Sequence, residues 1–399
     1  MKGFLKRSAI ILFFSLLALA LAEAQGFSQV IKVGVILPLS GRLENFGNIG
    51  KKSFLMAADE INNTGGIHGK KIELIVEDTK GMPGTAYSAV EKLFSQDKVV
   101  AIVGGYSSSA TWASIGLAQQ HKIPFLVSTA SADKISEQGW DYVFRLTSPA
   151  SEHTKTFESF VRQVDSIKTV AILHENTLFG EFWLKKFIKQ CLDLGLKVVI
   201  RESYEPGAAD FRTILAKVKN KEPDLIHMIS SVTEASLLIR QSKELELNSK
   251  IFLGNDVGFT HPDFHKNGGT PAEYVCSATI WSPSVPYPRA QEYYERFAEK
   301  YDLLPDYHGA QAYAGMYVIA DALKRAKSLS HKEVRDTLEE TDIMTIFGPI
   351  KFISYGKKRR QNRIPNYMVQ WLNGKIETVW PKDVATANFV FPRPKWIEQ

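Results

Sequence analysis

Residues 99–131 read V-V-A-I-V-G-G-Y-S-S-S-A-T-W-A-S-I-G-L-A-Q-Q-H-K-I-P-F-L-V-S-T-A-S. Two short apolar runs, Val99–Val103 and Pro124–Val127, each end in a loop rich in hydroxyls, Ser107-Ser108-Ser109 and Ser128-Thr129-Ala130-Ser131. Continuous apolar runs of this length suit strands buried on both faces of a parallel sheet. The first loop opens a helical pattern over Ala110–His121. In open α/β sheets, loops at the carboxyl ends of the strands face the ligand crevice. Hydroxyls and the free N–H groups of a helix start form a neutral cradle for a carboxylate or similar anion there. Neither loop contains an acid, a base or a metal ligand, so the pattern points to holding an anion rather than transforming it.

The same alternation extends in both directions. Upstream lie a strand over Ile31–Leu37, a helix over Gly47–Asn63 ended by Gly65-Gly66, a strand over Lys71–Val76 and a helix started by Pro83. A strand over Tyr142–Arg145 closes this first series. A second begins near Ser151, with strands at Thr169–His174, Lys197–Ser203, Asp224–Ile229 and Ile251–Gly254 between helices Glu152–Val164, Phe179–Gly195, Phe211–Asn220 and Glu234–Glu244. Two runs of βα units predict an α/β protein with two lobes, each with a parallel sheet. The remainder is less regular: a strand over Tyr274–Trp281, helices at Arg289–Tyr301, Gln311–Ala326 and Lys332–Glu340, and closing strands at Ile350–Ile353, Tyr367–Leu372 and Lys375–Val379. Asn373-Gly374 marks a hairpin between the last two.

Met1–Ala24 has the parts of a cleaved secretory signal: Lys2, Lys6 and Arg7, an apolar Ala9–Leu21, and A-x-A sites at 20–22 and 22–24. The apolar run falls short of the ~20 residues of a spanning helix, and no cysteine near the cleavage sites could carry a lipid. The sequence therefore predicts a periplasmic protein of roughly 375 residues, enough for two domains. Losing the leader changes the formal charge from +6 to +4, which selects no class of partner. Cys191 and Cys276, in a helical and a strand pattern, are either a disulfide or two buried thiols. No C-x-x-C or H-x-x-x-H spacing suggests a metal.

Catalytic readings fail on spacing. Gly41–Ser53 follows a strand and opens a helix, but Asn45 and Lys52 break the phosphate-loop pattern. Gly105–Ser109 resembles a nucleophile elbow without its closing glycine, and His121, His153, His174 and His308 lack a hydrolase context. Asp256, in Gly254-Asn255-Asp256, follows a strand of the second series, where it meets an ammonium group, caps a helix or is a solvated loop acid. Phe46, Phe179 and Trp281 lie near the inter-lobe loops, as pocket wall or as core. Lys357–Arg363 (K-K-R-R-Q-N-R) reads as a solvated loop or a dock for an acidic membrane partner; export argues against nucleic acid.

With these residues in view, the chain resembles the periplasmic branched-chain amino-acid-binding family, the substrate-binding proteins of ABC transporters. The resemblance spans about Ile31 to Pro381. It is carried by Ile31-Lys32-Val33-Gly34-Val35, Leu39-Ser40-Gly41, Asn62–Lys70 (N-N-T-G-G-I-H-G-K), Glu77-Asp78-Thr79, Val99 through Ser131 and Gly348-Pro349-Ile350. It implies two Rossmann-like lobes joined by three crossovers, a type I periplasmic binding fold, with the first lobe at 30–147 plus 281–356 and the second at 148–280 plus 357–399. It also implies a binding protein and not an enzyme, needing no cofactor. A small-molecule ligand and a membrane permease would be its partners, and it would be a monomer.

By the same resemblance Ser107 and its helix N–H groups hold the ligand's carboxylate, Thr129 contributes a carbonyl and Ser131 a hydroxyl. Asp256 takes the ammonium, and Phe46 and Phe179 contact the side chain. Tyr106, Ser108 and Ser231 complete the expected ligand-binding set. The chain departs from the family in three places. Ser231 stands where the family has a tyrosine, Asp256 where it has a glutamate, and Tyr106 where it has a cysteine of a first-lobe disulfide. The implied ligand is an aliphatic amino acid; a sensor of the same fold, or a binder of acids without an amino group, is the alternative.

Overall fold

The computed structural model describes residues 30–396 except 165, 256 and 257, without the side chains of 153, 154 and 178. The signal segment Met1–Ala24 lies outside the described residues. Strands β1 (Ile31–Leu37), β2 (Ile72–Asp78), β3 (Ala101–Gly104), β4 (Phe125–Val127) and β5 (Val143–Arg145) run parallel in the order β2-β1-β3-β4-β5. A second sheet repeats the pattern with β6 (Thr169–Glu175), β7 (Lys197–Tyr204), β8 (Leu225–Ile229), β9 (Ile251–Gly254) and β10 (Cys276–Thr279), ordered β7-β6-β8-β9-β10. Burial explains the composition. The inner strands β3, β4, β8 and β9 are wholly buried, and their residues are nearly all apolar. The edge strands β2 and β7 are half-exposed and carry charges.

Each sheet is sandwiched between helices. In the first lobe Glu44–Asn63 and Tyr307–Arg325 pack on one face with Ala290–Tyr301, and Pro83–Ser95 and Ser108–Gln120 on the other. In the second, Arg212–Lys219, Val232–Glu244 and Pro262–Gly268 cover one face, and Ala150–Val161 and Leu178–Asp193 the other. A doubly wound sheet binds ligands where its strand order reverses. That point lies between β1 and β3 in one lobe and between β6 and β8 in the other.

The far edges are finished by late strands, of which the sequence pattern marks the closing hairpin correctly and misses the pair beside β5. After a small hairpin of β11 (Asp342–Thr345) and β12 (Gly348–Lys351), β13 (Ile353–Tyr355) and β14 (Lys358–Gln361) join the first sheet beside β5. The strands β15 (Tyr367–Leu372) and β16 (Lys375–Trp380) form the hairpin marked by Asn373-Gly374 and extend the second sheet. The boundary expected at 356/357 therefore falls inside the first lobe. The chain crosses between lobes at 146–149, 280–289 and 362–366.

Nor is Lys357–Arg363 a solvated loop. Lys358 is buried between Asp133 (3.1 Å) and Glu137 (3.0 Å), and Arg360 pairs with Asp141 (3.1 Å) and Glu339. Arg363, on the crossing itself, reaches Glu152 of the second lobe at 3.3 Å. Lys358 and Arg360 are thus spent on ion pairs within the first lobe, while Lys357 and Arg359 stay exposed.

The first and third crossings run side by side. Asn362 N donates to Arg145 O (2.9 Å), Asn362 Nδ2 to Leu146 O (3.1 Å) and Gln361 Nε2 to Thr147 O (2.7 Å). Beneath them Arg145 is completely buried, and no carboxylate among the described residues forms an ion pair with its guanidinium. It donates to Gln361 Oε1, to Ala132 O (2.6 Å) and to Ser136 Oγ (2.8 Å), and burial lowers its pKa to about 10. Cys191 and Cys276 are free, buried thiols, so the disulfide alternative falls.

Candidate functional site in the inter-lobe cleft

The two hydroxyl loops lie side by side at the end of the first sheet. Gly104 and Gly105 turn the chain there with φ of +121° and +82°. A Cβ on Gly104 would stand 2.4 Å from Ile36 O, so only glycine brings the chain this close to β1. Ser128 N donates to Gly104 O (2.8 Å) and Ala130 N to Gly105 O (2.9 Å), which lashes the second loop to the first. Ser107 caps helix Ser108–Gln120: its Oγ accepts from Ala110 N (3.5 Å) and meets Ser109 Oγ (3.0 Å). Ser107, Thr129 and Ser131 are half-buried. Ser108 has a different task, its Oγ accepting from Ala132 N at 3.3 Å to tie the loops together. The Ser107 hydroxyl meets Ser109 and a backbone N–H, not an imidazole. His121 lies against Phe94 and Glu91, and His174 against the Glu175 carbonyl. The parts of a serine nucleophile are thus not assembled.

Beside the hydroxyls stands an aromatic wall. Phe46, in the first turn of Glu44–Asn63, stacks on Tyr106 with centroids 5.3 Å apart and planes at 21°. The His308 ring lies 5.0 Å from both. Asp306 caps helix Tyr307–Arg325, accepting from His308 N (3.0 Å), Gly309 N (3.3 Å) and His308 Nδ1 (2.7 Å). Burial pushes this carboxyl's pKa up, but the His308 ring and the other donors outweigh it and hold it below the usual range. Trp281, by contrast, is core: it is buried, donates to Ile346 O (2.8 Å) and packs on Tyr293.

The second lobe supplies the opposite wall. Thr177 caps helix Leu178–Asp193 through Gly180 N (3.0 Å) and so places Phe179 on the first turn, half-buried, its ring 6.5 Å from Trp183. Ser231, at the start of Val232–Glu244, donates to Glu234 Oε2, whose other oxygen accepts from Gly207 N (2.8 Å). Burial raises the Glu234 carboxyl, but Ser231, Gly207 and Arg42 of the first lobe bring it down. Asp256 lies outside the described residues. Glu175, at the end of β6, is 2% exposed; Thr177 Oγ1 donates to its Oε1 (2.8 Å) and its Oε2 has no partner among the described residues.

His261 spans the two walls. It belongs to the second lobe, yet its ring meets Phe46 of the first edge-on at 5.6 Å and 82°. The sequence reading missed it, along with Asp306 and Glu175. The signals present, His261-Pro262-Asp263 and Asp306-Tyr307-His308, mark helix starts and nothing more. No group of three potential metal ligands occurs among the described residues, and no described helix is long and apolar enough to cross a membrane.

A family model for periplasmic binding proteins matches residues 30–375. The Leu/Ile/Val-binding protein homolog 7 of Brucella melitensis is 24% identical over 390 residues, 94% of this chain and 98% of its own length. The leucine-, isoleucine-, valine-, threonine-, and alanine-binding protein of Pseudomonas aeruginosa is 24% identical over 342 residues, 85% of this chain and 91% of its own. Among solved structures, the branched-chain amino acid transporter substrate binding protein LivJ of Streptococcus pneumoniae, in complex with isoleucine, superposes with a TM-score of 0.79 at 28% identity, covering 88% of this chain and all of that one. An ABC transporter solute binding protein from R. palustris, in complex with benzoate, superposes with a TM-score of 0.75 at 19% identity over 88% of this chain and 96% of that one.

Proposed function

Because this chain belongs to the periplasmic binding protein family, a family of binding proteins and not of enzymes, we propose that it captures a small carboxylate-bearing ligand between its lobes and hands it to the membrane permease of an ABC transporter. The observation that carries this reading is the pair of hydroxyl loops lashed together at the reversal point of the first sheet, beside the place where Phe46 of that lobe meets His261 of the second. Ser107, the first N–H groups of its helix and the Ser131 hydroxyl hold the carboxylate, which helix starts favour. The Thr129 carbonyl and Asp256 take an α-ammonium when the ligand has one, and Phe46, Tyr106 and Phe179 flank the side chain. A ligand touching both walls binds the closed form better than the open one and shifts the population toward it. The permease reads that form. Cleavage of Met1–Ala24 places the protein in the periplasm.

Amino acids of the branched-chain type are the first ligand class, as for the relatives; aromatic acids are the second, favoured by the ring-lined wall of Phe46, Tyr106 and His308. Thermal-shift screening of the mature protein against both classes, followed by calorimetry, tests the proposal, since a ligand bound only by the folded state raises the melting temperature by mass action. A carboxylate ligand whose affinity falls at least tenfold in Ser107→Ala supports it. Failure of every carboxylate to bind, or turnover of an ester or amide lost in Ser107→Ala, overturns it.

A further inference from the structure

We propose that His261 reads the end of the ligand remote from its carboxylate, and that this end is an aromatic ring bearing a neutral oxygen, such as a hydroxyl. The inference rests on the carboxylate-capture reading above and narrows its substrate class.

His261 is 3% exposed and sits between the lobes, its own helix on one side and Phe46 on the other. Its Nδ1 accepts from Asp263 N at 3.1 Å to cap helix Pro262–Gly268. That bond fixes the tautomer: the proton resides on Nε2, at the opposite edge of the ring. Burial lowers the ring's pKa against the pull of Asp306 and Asp263, which keeps it neutral near pH 7. The Nε2–H has no hydrogen-bond partner among the described residues. A sealed donor without an acceptor is costly and rare in folded proteins, and a functional site is one of the few places that tolerates it.

The residues around it restrict what the acceptor can be. The acid of the first lobe that acts on His261 is Asp306, whose oxygens already serve His308 and Gly309. Its charge also disfavours a second carboxylate on the ligand at this end, by like-charge repulsion in a site of low dielectric. A neutral oxygen meets no such penalty. The walls restrict the group that carries this oxygen. Phe46 stacked on Tyr106, with His308 against both, presents a wall of ring faces and edges on which a flat side chain packs better than a branched aliphatic one. The ring carrying the oxygen can belong to an amino acid or to a simple benzoic acid, and these two sources share the chemistry proposed.

Calorimetry on matched pairs separates the outcomes: phenylalanine against tyrosine, and benzoate against 4-hydroxybenzoate, with wild type and His261→Asn. Asparagine keeps the helix cap but withdraws the Nε2–H. In wild type the hydroxylated member of one pair binds about tenfold more tightly, the worth of one buried hydrogen bond. In His261→Asn the gap between the two members of that pair closes, whatever affinity both members lose together. The pair that shows the preference tells whether the ligand carries an ammonium. Equal affinity for both members of each pair, or a gap that persists in the variant, overturns the role of His261 and leaves carboxylate capture standing. Failure of all four acids, with another carboxylate binding in the broader screen, overturns the aromatic class alone; failure of every carboxylate overturns both. The wild-type comparison decides even if the variant does not fold.

Discussion

Replacing His227 by phenylalanine is expected to flatten the acid side of the stability profile. His227 lies in the middle of β8 in the second lobe, fully enclosed, its ring stacked on Phe187 at 3.8 Å and its Nδ1 3.2 Å from Leu253 O. Burial pushes its pKa down from 6.5 to about 3, only partly opposed by that hydrogen bond. The sign follows from proton counting. Below pH 6.5 the unfolded chain binds a proton at this position and the folded chain does not, so stability falls as the pH drops toward 3. From the two pKa values, the loss between pH 7 and pH 5 from this group is about 2 kcal/mol. Phenylalanine keeps the stacking and forfeits the bond to Leu253 O, at a pH-independent cost of about 1 kcal/mol. Urea titrations followed by tryptophan fluorescence at pH 7 and pH 5 measure both terms. Every other titrating group is common to the two proteins and cancels in the comparison. The variant is expected to be the weaker protein at pH 7 and to lose about 2 kcal/mol less on acidification. The same acid slope in both proteins would mean that the ring is charged in the folded state or reached by water, and would refute the reasoning.

Arg145→Met strips three acceptors near the crossings of their donor; even with the relief of an unpaired buried charge we expect a loss of about 3 kcal/mol, read as a lower urea midpoint at unchanged m-value. Gly180→Ala sets a Cβ 1.9 Å from Glu175 O, a backbone atom that cannot swing aside. It is expected to cost more than about 2 kcal/mol and to lower the melting temperature by several degrees; an unchanged melting temperature would contradict this placement of the helix start. Both cysteines are buried, and burial raises the Cys191 thiol to about 12. A thiol reagent is therefore expected to leave the native protein untouched and to modify both cysteines in denaturant without prior reduction.

The doubly wound halves were legible because their signal is local. An inner strand buried on both faces must be apolar along its length, and the turn after it must be polar. Gly104-Gly105 and the two hydroxyl loops stand out for the same reason, since the constraint on each lies within a few residues of it. The strand β14 hid because its signal is not local. Lys358 and Arg360 read as a solvated run until Asp133, Glu137 and Asp141, more than 200 positions away in the chain, are brought against them. With that strand misread, the last crossing was placed too early. The site divides along the same line. Ser107, Thr129 and Ser131 each follow a strand of one sheet, so the topology alone brings them together. The meeting of Phe46 with His261, and the action of Asp306 on that ring, depend on how one lobe faces the other. Locally, His261 and Asp306 do the ordinary work of helix caps. A cap uses one edge of the imidazole and leaves the other to its surroundings. For His261 those surroundings are the opposite lobe. Its second nitrogen therefore acquires meaning only where the two lobes meet.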